Sequence, residues 1–101
     1  STLIKIGDYA FYCCYSLKEV GLQEGLEEIG RYAFANCESL ECINCPSTLN
    51  RIGNYTFARC RSLAKVTLVG GIVTIEEEAF EDCPSFEGAT FQPKAFVIEV
   101  D

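Results

Sequence analysis

One hexapeptide recurs four times in this chain at a constant step of 23 residues. IGDYAF begins at Ile6, IGRYAF at Ile29, IGNYTF at Ile52 and IEEEAF at Ile75, with no insertion or deletion between copies. A fixed period of that size specifies stacked copies of one small unit, because each copy cannot bury its apolar face alone. Other positions keep the same register. Phe11, Phe34, Phe57 and Phe80 align, as do Cys14, Cys37, Cys60 and Cys83, and Ser16, Ser39, Ser62 and Ser85. Leu17, Leu40 and Leu63 align with Phe86, and Leu22, Cys45 and Leu68 align with Phe91. The repeats are read as 3–25, 26–48, 49–71 and 72–94. Residues 95–101 begin a fifth, with Ile98 in the place of Ile6.

Each unit reads LxxIGxYAFxxCxSLxxVxL. That pattern resembles the BspA-type leucine-rich repeat, also described as the Treponema pallidum type, over essentially the whole chain. Among the departures from it, Glu76 replaces the Gly, Thr56 the Ala and Phe86 the Leu. The resemblance implies one leucine-rich-repeat domain over 1–101, cut from a longer protein. It also implies a non-catalytic protein–protein interaction or adhesion module in surface or secreted proteins.

The residue pattern predicts the same architecture locally. LxxVxL ends in a period-two alternation, as a strand with one buried face does. Leu17–Leu22, Leu40–Cys45, Leu63–Leu68 and Phe86–Phe91 are therefore expected to lie side by side as parallel strands. Leu26–Ile29 and its equivalents are expected to form a second set. YAFxxC is too short for a full helix and is expected to make a helical or 3₁₀ turn. Stacking these pieces gives a right-handed repeat solenoid with like residues in ladders.

The ends differ. Repeat 1 is as regular as the interior ones, which points to an N-terminal face exposing Leu3, Ile6, Phe11 and Leu17. That face reads as cut from a longer array or buried by a partner chain. Repeat 4 drifts at Glu76, Pro84, Phe86, Gly88, Ala89 and Phe91. Residues 95–100, AFVIEV, are then expected to cover the last coil as a terminal strand.

Composition narrows the function. The net charge is −7, which argues against nucleic acid and anionic membrane as partners. No apolar run approaches the ~20 residues of a membrane span. There is no His, so the commonest general base and metal ligand is absent. No base keeps register beside the Ser ladder, so those serines are read as turn residues that bond the backbone. No cofactor is implied.

Seven Cys in 101 residues nevertheless invite a thiol reading. Cys42 and Cys45 have the CxxC spacing of a redox dithiol or half of a zinc site. In register they separate. Cys45 takes an inward Leu position, and Cys42, three residues earlier on the strand, faces the other way. The Cys14, Cys37, Cys60 and Cys83 ladder reads as buried free thiols. Its members stack near strand spacing, ~4.8 Å, but point the wrong way to bridge easily. Cys13 aligns with Asn36, Arg59 and Asp82 and is expected at the surface. A redox or metal protein using Cys42, Cys45 and Cys13 remains the alternative from another class.

Two surfaces are candidates for partner contact. The first is the ladder Tyr9, Tyr32 and Tyr55, with Tyr12 and Tyr15 nearby, since tyrosine is enriched at interfaces. The second is the outward face of the longer strands: Glu19, Gly21, Cys42, Asn44, Lys65, Thr67 and Thr90. A structural spacer within a larger protein is the third reading.

Charge alternates by repeat: −1, −3, +4 and −5, with −2 in the tail. Register sets Arg51 beside Glu28, Arg61 beside Glu38 and Arg59 beside Asp82, so the charges are expected to neutralise one another along the coil. The Glu76–Asp82 acidic patch lacks a calcium-loop pattern and reads as a solvated face. Gly7, Gly30 and Gly53 imply a backbone requirement, either positive φ or close approach. Gly70 and Gly71 read as a flexible turn. Asn54-Tyr55-Thr56 is an N-glycosylation sequon, usable only in a eukaryotic secretory setting.

Overall fold

The computed structural model describes residues 4–69, 74–76 and 78–92, the last four as backbone only. Among these residues eight short strands alternate between two parallel sheets. β1 (Lys5–Ile6), β3 (Glu28–Ile29), β5 (Arg51–Ile52) and β7 (Thr74–Ile75) form one sheet in that order. β2 (Glu19–Gly21), β4 (Cys42–Asn44), β6 (Lys65–Val69) and β8 (Ala89–Gln92) form the other. Every pairing keeps the 23-residue offset, as in Ile6 with Ile29 and Val20 with Ile43. The two predicted strand sets are thus present, but β2 to β6 each begin two residues later than expected and β6 and β8 run one residue past the expected end, and the molecule is a repeat solenoid. The expected turn at Gly70 and Gly71, the expected strand at 95–100 and the expected exposure of Leu3 lie outside the described residues.

The segment between the sheets corrects the sequence reading. It contains no helix among the described residues. Its amide groups alternate instead. Ala10, Tyr12 and Cys14 donate to the carbonyls of Gly7, Tyr9 and Phe11, closing three overlapping four-residue turns. Tyr9, Phe11 and Cys13 donate across to Arg31, Ala33 and Ala35 of the next coil. The pattern repeats where Tyr32, Phe34 and Asn36 donate to Asn54, Thr56 and Ala58. A 3₁₀ helix needs consecutive local bonds, and here every second one is given to the neighbour. The turns also require left-handed backbone at two columns of residues. One holds Tyr9, Tyr32, Tyr55 and Glu78, and the other Cys13, Asn36, Arg59 and Asp82, all with φ between 54° and 62°. Asn and Asp tolerate that conformation better than other non-glycine residues.

The core runs along the coils as ladders. Phe34 and Phe57 are fully buried, and Phe11, Phe34, Phe57 and Phe80 stack at 5.1, 5.5 and 5.4 Å with nearly parallel rings. Phe86 closes one end of this stack, 4.3 Å from Phe80. At the other end Phe11 is 42% exposed. Leu17 is half-buried, and Ile6 is 6% exposed, against the expectation that it would lie open. Ile6 points into its own coil and joins the buried cluster, so an end position does not uncover it.

Thr56 stands where the other copies have Ala, and it is completely buried. Its hydroxyl lies 2.7 Å from the Gly53 carbonyl oxygen and 2.9 Å from that of Gly30, tying two coils together. Replacing it with isosteric Val removes that donor, and a net hydrogen bond contributes ~1 kcal/mol. Thr56→Val is expected to lower the melting temperature by about 4–8 °C in a circular-dichroism melt. An unchanged melting temperature rules out a stabilising role for the hydroxyl.

Candidate interaction surfaces

The tyrosine ladder is a continuous stack. Tyr9 and Tyr32 lie 4.9 Å apart with 3° between their planes, and Tyr32 and Tyr55 lie 5.0 Å apart with 8°. Its members occupy the first left-handed column, so the same backbone turn aims each side chain in the same direction. The Tyr12 ring stands almost perpendicular to those of Tyr9 and Tyr32. Glu78 takes the fourth place in the column. A hydrogen bond to it, then partial desolvation, pushes the Tyr55 hydroxyl up to about 12.

A groove of roughly 300 Å3 runs beside this stack. It is lined by Tyr12, Tyr32 and Tyr55, by Asn36, Arg59 and Asp82, and by Ala35, Ala58 and Glu81. The Asn36 side-chain amide donates to the Tyr12 hydroxyl at 3.4 Å. The second column is what sequence reasoning missed. Its signal was the alignment of Cys13 with Asn36 and Asp82, two residue types suited to left-handed backbone.

The second predicted surface is a flat strip on β2, β4 and β6. Glu19, Gly21, Asn44 and Lys65 are exposed, and Cys42 and Thr67 are half-buried. Glu19, Cys42 and Lys65 are direct register partners. Thr90 continues the row as the partner of Thr67, and its side chain lies outside the described residues. The tyrosines and the strip residues therefore occupy different segments of each repeat.

All seven thiols are free. Cys45 is buried and Cys42 half-exposed, in keeping with their opposite strand faces. The ladder thiols are more than small apolar fillers. Cys37, Cys60 and Cys83 donate their S–H groups to the carbonyls of Phe11, Phe34 and Phe57, at 3.2, 3.1 and 2.9 Å. Burial pushes Cys37 up to about 11 and Cys45 and Cys60 up to about 12, and it raises Cys83. Among the described residues no group of three or more potential ligands is placed to hold a metal ion.

These shifts make the fold sensitive to alkali. An unfolded thiol ionises near ~8.5, whereas folded Cys45 and Cys60 keep their protons to about 12. Their contribution is complete below the unfolded value and is lost as pH rises from there toward the folded one. Each thiol adds up to ~1.4 kcal/mol of loss per pH unit in that window. Urea titrations between pH 8 and pH 10 are expected to show this slope. Cys45→Leu, which restores the repeat pattern, is expected to reduce it by one proton, and an undiminished slope refutes the assignment.

The family model for the BspA type leucine rich repeat region (6 copies) matches residues 1–100. The chain belongs to the BspA-type leucine-rich repeat family. Proteins of this family are commonly interaction or adhesion modules and typically non-catalytic. No curated protein and no solved structure matches the chain. Among the described residues no helix is long and apolar enough to cross a membrane.

In this BspA-type repeat the charges pair along the coils, with partners that differ in part from those register suggested. Arg51 reaches forward to Glu76 at 2.8 Å rather than back to Glu28, which lies 3.9 Å from Lys5. Glu76 fills the place of the repeat glycine, so its carboxylate is held close to the coil before it. Arg59 does lie near Asp82, at 4.0 Å, and Arg31 lies 3.9 Å from Asp8. The expected pair Arg61 and Glu38 is not among the ion pairs of the described residues. These are exposed pairs of little individual weight, ~0–1 kcal/mol.

Proposed function

We propose that this chain is a non-catalytic protein-contact module and that the tyrosine-lined groove is its contact surface. The groove carries the reading. It joins a row of tyrosines to polar side chains on a rigid, repeat-spaced backbone, and such amphipathic rings are favoured at interfaces. The family supports a role in adhesion, with the parent protein at a cell surface or secreted. A random peptide library selected on the immobilised folded chain tests this. Capture of the selected peptides is expected to fall about tenfold, ~1.4 kcal/mol, on a Tyr12→Ala variant and to persist on Asn44→Lys. Binders that fail only on Asn44→Lys move the contact to the strip, and the absence of any groove-dependent binder overturns the reading.

A spacer role rests on a different observation. The exposed Phe11 ring contrasts with the sealed Phe34 and Phe57 below it, as suits a stack continued by a further coil or a partner chain.

A further inference from the structure

The tyrosine ladder is a row of phenols held face to face. Neighbouring ring centres are 4.9 and 5.0 Å apart, with 3° and 8° between the planes. Tyr9, Tyr32 and Tyr55 leave the backbone from the same left-handed turn, so like ring atoms of successive coils sit opposite one another. Tyr9 is exposed, Tyr32 and Tyr55 are half-buried, and the groove leaves space beside the latter two in which a ring can tip toward its neighbour. The phenylalanine ladder stacks in the same way, but Phe34 and Phe57 are sealed inside and carry no hydroxyl.

Stacked phenols have a chemistry that a single one lacks. A phenol that gives up one electron also releases its proton and becomes a phenoxyl radical, with spin on the ring carbons ortho to the oxygen. Two such radicals join through one carbon–carbon bond between ortho carbons. The hydrogen on each joined carbon then moves to its oxygen and restores both phenols. In sum, two tyrosines release two electrons and two protons, which reduce one hydrogen peroxide to two waters when a peroxidase is the oxidant. Partners held at a fixed short spacing need no diffusional encounter, which favours this coupling over all others. Tyr55 also donates a hydrogen bond to Glu78, an acceptor for the proton that oxidation releases.

We propose that the ladder is an oxidative cross-linking site, where a peroxidase or another one-electron oxidant joins Tyr32 to Tyr9 or to Tyr55 and so ties two coils covalently. Tyr32 is the shared partner, because Tyr9 and Tyr55 lie two rungs apart, roughly 10 Å. Each link closes a loop of 23 residues in the unfolded chain and stabilises by restricting it, as a disulfide does. The site stands on ring geometry and does not depend on what the groove contacts.

Treating the dilute folded chain with peroxidase and hydrogen peroxide, isolating the monomer and searching its tryptic peptides for dityrosine by mass spectrometry tests this. Cleavage after Lys5, Lys18, Arg31, Arg51 and Arg59 puts Tyr9, Tyr32 and Tyr55 in different peptides, 6–18, 32–51 and 52–59. Links of 32–51 to 6–18 through Tyr9, and of 32–51 to 52–59, are expected. The link of 6–18 to 52–59 is expected at less than about one tenth of their abundance in the folded chain, and at comparable abundance after oxidation in urea. Tyr32→Phe keeps the ring stack and is expected to lower the links within the monomer at least about tenfold, whereas Tyr15→Phe leaves them unchanged. Cys13, Cys14 and Cys42 are half-exposed and compete for the oxidant, so the reading is the link and not the peroxide consumed. The proposal is overturned if oxidation stops at the thiols, if dityrosine forms only between chains, if the links run mainly through Tyr12 or Tyr15, or if the folded and urea patterns agree.

Discussion

A single methyl group added at residue 30 is expected to destabilise the protein by ~2–3 kcal/mol. A Cβ on Gly30 falls 2.5 Å from the Asp8 carboxylate oxygen, 2.7 Å from the Asp8 backbone nitrogen and 2.9 Å from the Gly7 carbonyl carbon. Two of those three atoms are backbone, so the coils themselves must separate. The third is already held, because that carboxylate oxygen accepts from the Arg31 amide at 2.8 Å. The same change at Gly53 meets backbone at 3.1–3.2 Å, a milder conflict. At Gly7 nothing lies within 4 Å, and Gly7→Ala is expected to be neutral or to stabilise by ~0.4–1 kcal/mol through the unfolded chain. Urea midpoints of the three alanine variants should fall in the order Gly7, Gly53, Gly30, with Gly30→Ala lowest. Equal midpoints remove close approach as the reason for these glycines.

Phe57→Ala carries the larger expected loss, ~3–5 kcal/mol. The ring is fully buried and stacked on both sides, by Phe34 at 5.5 Å and Phe80 at 5.4 Å. A native domain has ~5–15 kcal/mol in total, so this variant stands near unfolding. Phe57→Leu fills most of the space and gives a measurable folded comparison. Phe11→Ala removes a ring that is 42% exposed and stacked on one side among the described residues, and is expected to cost less than half as much. Denaturant titration of the three variants reads the difference directly. Similar losses at 11 and 57 refute the picture of a stack sealed in its middle and open at one end.

The 23-residue recurrence made the sheets, their register and the inward ladders legible, because stacking identical units leaves one way to align them. It did not reveal what each ladder atom bonds. The Cys60 thiol packs as the apolar position predicts, but its S–H direction depends on where the Phe34 carbonyl turns. YAFxxC suggested a helical turn because local sequence shows compactness, not the destination of alternate amides. Gly30 showed that some backbone requirement existed, and geometry resolved it as close approach rather than positive φ. Arg51 had Glu28 as its direct neighbour in register and Glu76 within reach on the other side, a choice between long flexible side chains that spacing cannot make. The groove was half legible. Its tyrosines formed an obvious ladder, while Asn36, Arg59 and Asp82 share a backbone conformation rather than a residue type.

The turn segment also has a direction. Within YAFxxC the cross-coil amides donate from one coil to the next, whereas the flanking amides of Gly30, Glu41, Gly53 and Ala64 donate to the coil before. Two coils meeting through like rims would set carbonyl against carbonyl. An array of these units is therefore a one-way street, extended by coils added in the same sense. Duplicating a whole unit lengthens the Phe and Tyr columns and keeps the backbone register, whereas inserting any other length throws every later rung out of line. Gene duplication in steps of one coil is thus the cheap route to a longer binding surface, and reach can change while the chemistry of each rung is inherited intact.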